Sequence, residues 1–185
     1  MVRKNDVRQE AEREYRFTLR YQLADDDSDH DALAERLAEA GCDDALLGIG
    51  VSQRLALEFT RNGRDAMTAI AGALAAVRRA VPGACLIEAA PDLVGLSDVA
   101  QIVGMSRQNV RKLMIAHRDS FPLPVHAGAA GVWHLAEVLA WFQSRGVDAI
   151  DPLVVDVAIA ALQVNLAKAA THAIPSAQRQ LRALV

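Results

Sequence analysis

Residues 15–23, YRFTLRYQL, alternate apolar and polar side chains without a break. Tyr15, Phe17, Leu19, Tyr21 and Leu23 share one face, and Arg16, Thr18, Arg20 and Gln22 the other. Successive strand residues point to opposite sides, so this segment predicts a β-strand with one wet face and one face that another layer must cover. The next segments supply that layer. In ALAERLAEAG, Leu33, Leu37 and Ala40 recur at helical spacing before Gly41 supplies a stop. ALLGIGVSQRLALEFT predicts two strands around a turn at 51–53, with Leu55, Leu57 and Phe59 facing inward on the second. RDAMTAIAGALAAVRRAV then places Met67, Ile70, Leu74, Val77 and Val81 on one helical stripe, ended by Pro82-Gly83, and ACLIEAA forms a last strand.

The order βαββαβ predicts an α+β unit over residues 15–91, following an N-terminal arm of residues 1–14. Two helices on one face of a four-stranded antiparallel sheet give the ferredoxin-like sandwich. In that arrangement the second and fourth strands occupy opposite edges of the sheet. Cys42 leads into one and Cys85 lies in the other, so they stand roughly 14 Å apart at about 4.8 Å per strand. A disulfide needs Cα atoms within about 7 Å, so two free thiols are expected.

Charge narrows the function. The formal net charge is -3, and residues 92–146 form the only net-positive segment, with 5 Lys/Arg against 4 Asp/Glu. A nucleic-acid surface must therefore be local. The acidic run ADDDSDHD reads as a solvated loop and helix cap, since carboxylates favour the positive end of a helix. A calcium loop needs Gly at its sixth position and Glu at its twelfth; counted from Asp25 these are His30 and Arg36, and from Asp27 they are Ala32 and Ala38.

Other chemistries lack their residues. No nucleophile–base frame or phosphate-binding loop is visible, and Gly48-Ile-Gly50 does not continue into a dinucleotide fingerprint. No enzyme, cofactor or metal is expected. Two cysteines are too few for a zinc site, and His117, His126 and His134 are irregularly spaced, reading as surface or wing residues. Trp133 and Trp141 sit in apolar patterns and read as core. The first residues lack the apolar run of a secretory signal, and Pro152 to Ala170 carries Asp156, Gln163, Asn165 and Lys168, making it a poor membrane span. A cytoplasmic chain is expected.

Beyond a joint at Pro91-Asp92, the stretch GLSDVAQIVGMSRQNVRKLMIA reads as a helix-turn-helix. Ser97 opens a short helix whose Val99, Ala100 and Val103 face inward. Gly104 permits the tight turn, and Ser106 caps a second helix. Val110, Leu113 and Met114 share that helix's buried side. Its other side carries Gln108, Arg111, Lys112 and Ile115, flanked by Arg107 and Asn109. Arg and Lys suit guanine edges or phosphates, and Asn and Gln suit adenine. Phe121-Pro-Leu-Pro124 predicts an extended segment, Gly128 and Gly131 a hairpin tip, and Val132 and Trp133 a returning strand. LAEVLAWF closes the unit as a helix.

Together LVGLSDVAQIVGMSRQNVRKLM, FPLPV and GVWHLAEVLAWF resemble the winged helix-turn-helix of the MerR-like superfamily, in its AlpA/excisionase-type branch, over residues 92–146. The whole architecture also resembles bacterial helix-turn-helix DNA-binding proteins. The resemblance implies that the second helix enters the major groove of double-stranded DNA and that the wing touches the backbone. These roles then fall on Ser106, Arg107, Gln108, Asn109, Arg111 and Lys112, and on the wing around His126 to Ala130. Many relatives carry Arg or Lys in the wing, whereas this chain has HAGAAGVWH, so its wing contacts are weaker or depend on histidine protonation.

Residues 147–185 form a C-terminal packing or dimerisation segment. Asp151-Pro152 starts a helix that is apolar nearly all round, and such a helix is buried, here against the winged unit or the same helix of a second chain. The expectation is a homodimeric, sequence-specific transcriptional regulator. Two alternatives stay open: an excisionase-like architectural factor, and a protein-interaction module whose winged unit no longer binds DNA. The sequence leaves a small-molecule effector undetermined.

Overall fold

The computed structural model describes residues 12–24, 29–50, 53–128, 130–147, 149–181 and 184. The arm through residue 11, the acidic residues 25–28, Val51 and Ser52 of the expected turn, and Ala129 of the expected wing lie outside these. Among the described residues the chain is mixed α and β, with seven helices and two antiparallel sheets.

The alternating segment forms β1 (Arg13–Gln22), which starts two residues earlier than the alternation suggested. α1 (His30–Glu39) follows, capped by Asp29, whose Oδ1 accepts the Ala32 N–H at 3.1 Å. β2 (Ala45–Gly50), β3 (Arg54–Gly63), α2 (Ala66–Ala80) and β4 (Cys85–Ala90) complete the unit. The sheet order is β2-β3-β1-β4, with Phe17 opposite Phe59, Leu19 opposite Leu57 and Tyr21 opposite Leu55. Phe17 and Phe59 stack with centroids 5.1 Å apart in the core. β2 and β4 are the two edges, and Cys42 and Cys85 are both free.

Two features of this layer differ from the sequence reading. Met67 is exposed, and α2 buries Ala66, Ala69, Ala73, Ala76 and Ala80 beside Ile70 and Val77. The reason is a third helix. α6 (Pro152–Ala170) packs against α2, β4 and β1 as well as against the winged unit, and small side chains shorten the distance at which helices can pack. Length and apolar content alone would let α6 cross a membrane. Here its surface is divided: Val157, Ala160 and Ala161 enter the core of the N-terminal unit, and Ala158 enters that of the second. Of the two covers expected for this helix, the winged unit is one that it meets: Val154, Val155 and Leu162 pack on that core and Leu153 and Val164 on the other, while Ile159 and Leu166 stay exposed.

Side chains of α6 also close the outer edge of β4. Asn165 Oδ1 accepts the Ala89 N–H at 2.9 Å, its Nδ2 donates to the Ala89 carbonyl at 2.8 Å, and Lys168 Nζ donates to the Ile87 carbonyl. The Asn165 amide thus replaces a missing strand. Its second Nδ2 hydrogen reaches Asp92 Oδ2 at 2.7 Å. Asp92 is the buried polar residue of the described chain, at 1% exposure. Its other oxygen bonds His134 Nδ1 at 2.7 Å, and its carbonyl accepts the Leu135 N–H. His134, expected as a surface or wing residue, is a half-buried partner of this side chain at the end of a wing strand.

Arg61 ties the end of α1 to the start of β2, donating to Asp44 at 2.6 Å and to the Gly41 carbonyl while lying over the Phe59 ring. Cys42 is buried nearby, and burial raises its thiol pKa against the opposing pull of Arg61.

Two outcomes follow. Asn165→Leu leaves Asp92 Oδ2 and both Ala89 backbone groups without these partners, so urea unfolding should show a loss of about 2–4 kcal/mol; an unchanged midpoint would remove the clamp from the account. Alkylation of the native protein should label the exposed Cys85 and spare Cys42, because a buried, protonated thiol is a poor nucleophile. Mass spectrometry of labelled peptides reads this directly, and equal labelling would contradict the burial.

Candidate nucleic-acid interface

The second unit begins with β5 (Leu93–Val94) and α3 (Leu96–Ile102). α3 starts one residue before Ser97. Gly95 is its N-cap, and Asp98 Oδ2 reaches back to accept the Gly95 N–H at 2.9 Å. Val99, Ala100 and Val103 are buried as their spacing requires. Gly104 has φ +68°, and nothing lies within 4 Å of a Cβ added there, so backbone conformation is what demands glycine. The Met105 N–H then donates to the Ala100 carbonyl at 2.9 Å and closes the turn.

α4 (Arg107–Ala116) leaves this turn with Ser106 as its cap, Ser106 Oγ accepting the Asn109 N–H at 3.2 Å. Val110 is fully buried and anchors the helix, with Leu113 and Met114 packed around the same core. Arg107, Gln108, Asn109, Arg111 and Lys112 are all exposed. The structure therefore brings six of the seven expected site residues onto one capped helix end. That surface carries three cations, and α4 contains no carboxylate. The Asn109 amide leans back on Met105 Sδ at 3.6 Å, which holds it beside the turn.

His126 stands apart, on the wing. β6 (His126–Ala127) pairs with β7 (Gly131–His134), which also pairs with β5; this third strand was not visible in the sequence because it is two residues long. The His126 ring is exposed and occupies the space a side chain at Gly128 would need. The Trp133 ring does the same at Gly131. The wing glycines thus make room for these two rings.

An aromatic cluster sets the wing against α5 (Leu135–Gln143). Phe121 meets Trp133 and Trp141 edge-on at 6.2 and 4.9 Å. Trp133 Nε1–H donates to the Pro122 carbonyl at 3.1 Å, and Arg145 stacks on Trp141 at 4.4 Å. Both tryptophans are buried and structural. Between α4 and the wing runs an apolar groove of about 430 Å³, lined by Met114, Ile115, Phe121, Leu123 and Trp133, with Arg118 at its rim. Ile115, Leu123 and Val125 are exposed. The helical wheel had placed Ile115 on this side, but Arg118 lies beyond the helix and no periodicity marks it. Among the described residues no group of three His, Cys, Asp or Glu side chains is arranged to hold a metal.

Replacing Gly104 by Ala should cost about 1–2 kcal/mol from the left-handed backbone alone, with no steric clash. Thermal or urea unfolding measures it, and a neutral result would mean the turn relaxes to another conformation.

Residues 92–146, less than half of the chain, match the family described as Prophage CP4-57 regulatory protein (AlpA), which supports an AlpA-type DNA-binding domain over those residues. No curated protein and no solved structure matches the chain.

Proposed function

From the AlpA-type domain as premise, we propose that this chain is a sequence-specific, DNA-binding transcriptional regulator that inserts α4 into the major groove as a MerR-like winged helix. One observation carries the reading. Arg107, Gln108, Asn109, Arg111 and Lys112 stand exposed around a capped helix end while Val110 fixes that end to the core. The first N–H groups of a helix have no partner within it and form a ready anion site. Ser106 uses an oxygen lone pair for its cap and keeps its O–H to donate to phosphate.

The roles divide by reach. Arg107, Gln108, Asn109 and Arg111 read base edges, since guanidinium and amide groups match guanine and adenine bidentately. Ser106 and Lys112 hold phosphate and set the register. Exposed Ile115 offers apolar contact to a thymine methyl. Arg118 at the groove rim adds a backbone contact. The wing offers His126 as its exposed polar side chain among the described residues, so its share of affinity is small. The N-terminal ferredoxin-like sandwich is the oligomerisation or sensing unit, and a DNA-binding role places the protein in the cytoplasm.

Selection from random duplexes at two salt concentrations tests this. Wild type should enrich one motif, and Arg107→Ala and Arg111→Ala should each lose about 1–3 kcal/mol and relax the preference at one position. Lys112→Ala should weaken all sequences alike and reduce the salt slope by about 1. Binding without motif enrichment would point to an architectural factor. No salt-dependent binding at all would assign the winged unit to protein contacts.

A further inference from the structure

The four-stranded sheet ends differently at its two edges. On β4 the outward backbone groups of Ala89 and Ile87 are taken by Asn165 and Lys168 of α6. Nothing comparable among the described residues covers β2 at the other edge. The Thr60 N–H donates to the Asp44 carbonyl across the β2–β3 pair, which fixes the phase of the strand. In an antiparallel ladder alternate residues turn their backbone groups to opposite sides. Leu46, Gly48 and Gly50 therefore bond toward β3, and Ala45, Leu47 and Ile49 turn theirs outward.

Edge strands are ordinarily guarded by charge, proline or a bulge. β2 reads ALLGIG, with no charge and no proline, and Leu46 is 72% exposed. Gly48 has no internal reason to be glycine. Its φ is not positive, and an added Cβ would meet only the Ala56 carbonyl oxygen at 3.9 Å. Glycine weakens a strand interior and marks close approach by another chain or backbone.

We propose that β2 pairs antiparallel with β2 of a second copy about a two-fold axis at Leu47, joining two sheets into one of eight strands. This register is self-complementary. Leu47 lies opposite the partner's Leu47 and exchanges both backbone bonds with it. The Ile49 N–H of each copy meets the other's Ala45 carbonyl, while the Ala45 N–H stays with the Cys42 carbonyl. On the open face each exposed Leu46 lies over the partner's Gly48, in the closer type of cross-strand pair, where Cα atoms approach to about 4.5 Å and an added side chain would collide. On the other face the half-buried Ala45, Leu47 and Ile49 cover one another across the seam. The pairing does not rest on DNA binding.

Sedimentation velocity of the full chain without DNA tests the interface. Wild type should be a dimer at concentrations on the order of 50 µM, and Leu46→Lys or Gly48→Val should each raise the dimer dissociation constant at least roughly tenfold. Gly48→Val is the sharper variant, since a Cβ there meets only the Ala56 carbonyl oxygen within 4 Å and a β-branched residue favours a strand. Both variants should keep the wild-type circular dichroism. Ile159→Asp, on the exposed part of α6, should leave the dimer intact. A monomeric wild type, a dimer that survives both β2 substitutions, or one that Ile159→Asp dissolves would overturn the proposal.

Discussion

The structure hangs on one buried carboxylate. Asp92 sits where the sheet hands over to the winged unit, and a polar side chain buried there is tolerable only with full hydrogen bonding. Its two oxygens bond His134 of β7 and Asn165 of α6, and its carbonyl bonds the first residue of α5. Asn165 in turn holds the edge of β4. Four elements from three stretches of the chain therefore share one polar junction. No described buried side-chain nitrogen or oxygen is left without a partner, so hydrogen bonds offset the cost of burying this junction while it fixes geometry.

Around that junction α6 does the apolar part of the same task. It contributes to both cores, with Val157, Ala160 and Ala161 on one side and Ala158 on the other. The N-terminal sheet and the winged unit consequently meet across a shared helix as well as a linker. The helix that presents its cations to solvent is thus carried on a scaffold whose other layers are already packed. α4 can spend its exposed face on polar groups because Val110 and the aromatic cluster of Phe121, Trp133 and Trp141 hold it from behind.

Much of this was legible in the residues. The alternation at 15–23 located β1 to within two residues, and Gly104 with Ser106 located the turn and the cap, because these depend on local backbone geometry. The exposed set on α4 followed from 100° per residue around a buried Val110. What failed was partner choice. Met67 was placed inside because its stripe looked apolar, yet α2 turns its alanines inward once α6 joins the layer. His134 reads as a surface or wing residue, and nothing in the sequence connects it to Asp92. β5 was missed because two residues carry no period.

The sequence by itself determined the local units: strands by period two, helices by period 3.6, turns and caps by glycine and serine, and a basic, amide-rich helix end in an otherwise acidic chain. Those signals span a few residues and depend on torsion angles and nearest neighbours. Only the tertiary structure decided which faces meet: that α6 turns inward onto both units, that Asn165 stands in for a strand beside β4, and that among the described residues β2 is left as the open edge. The bonds from α6 to β4 alone pair residues 76 and 81 positions apart, and no periodicity along the chain records them.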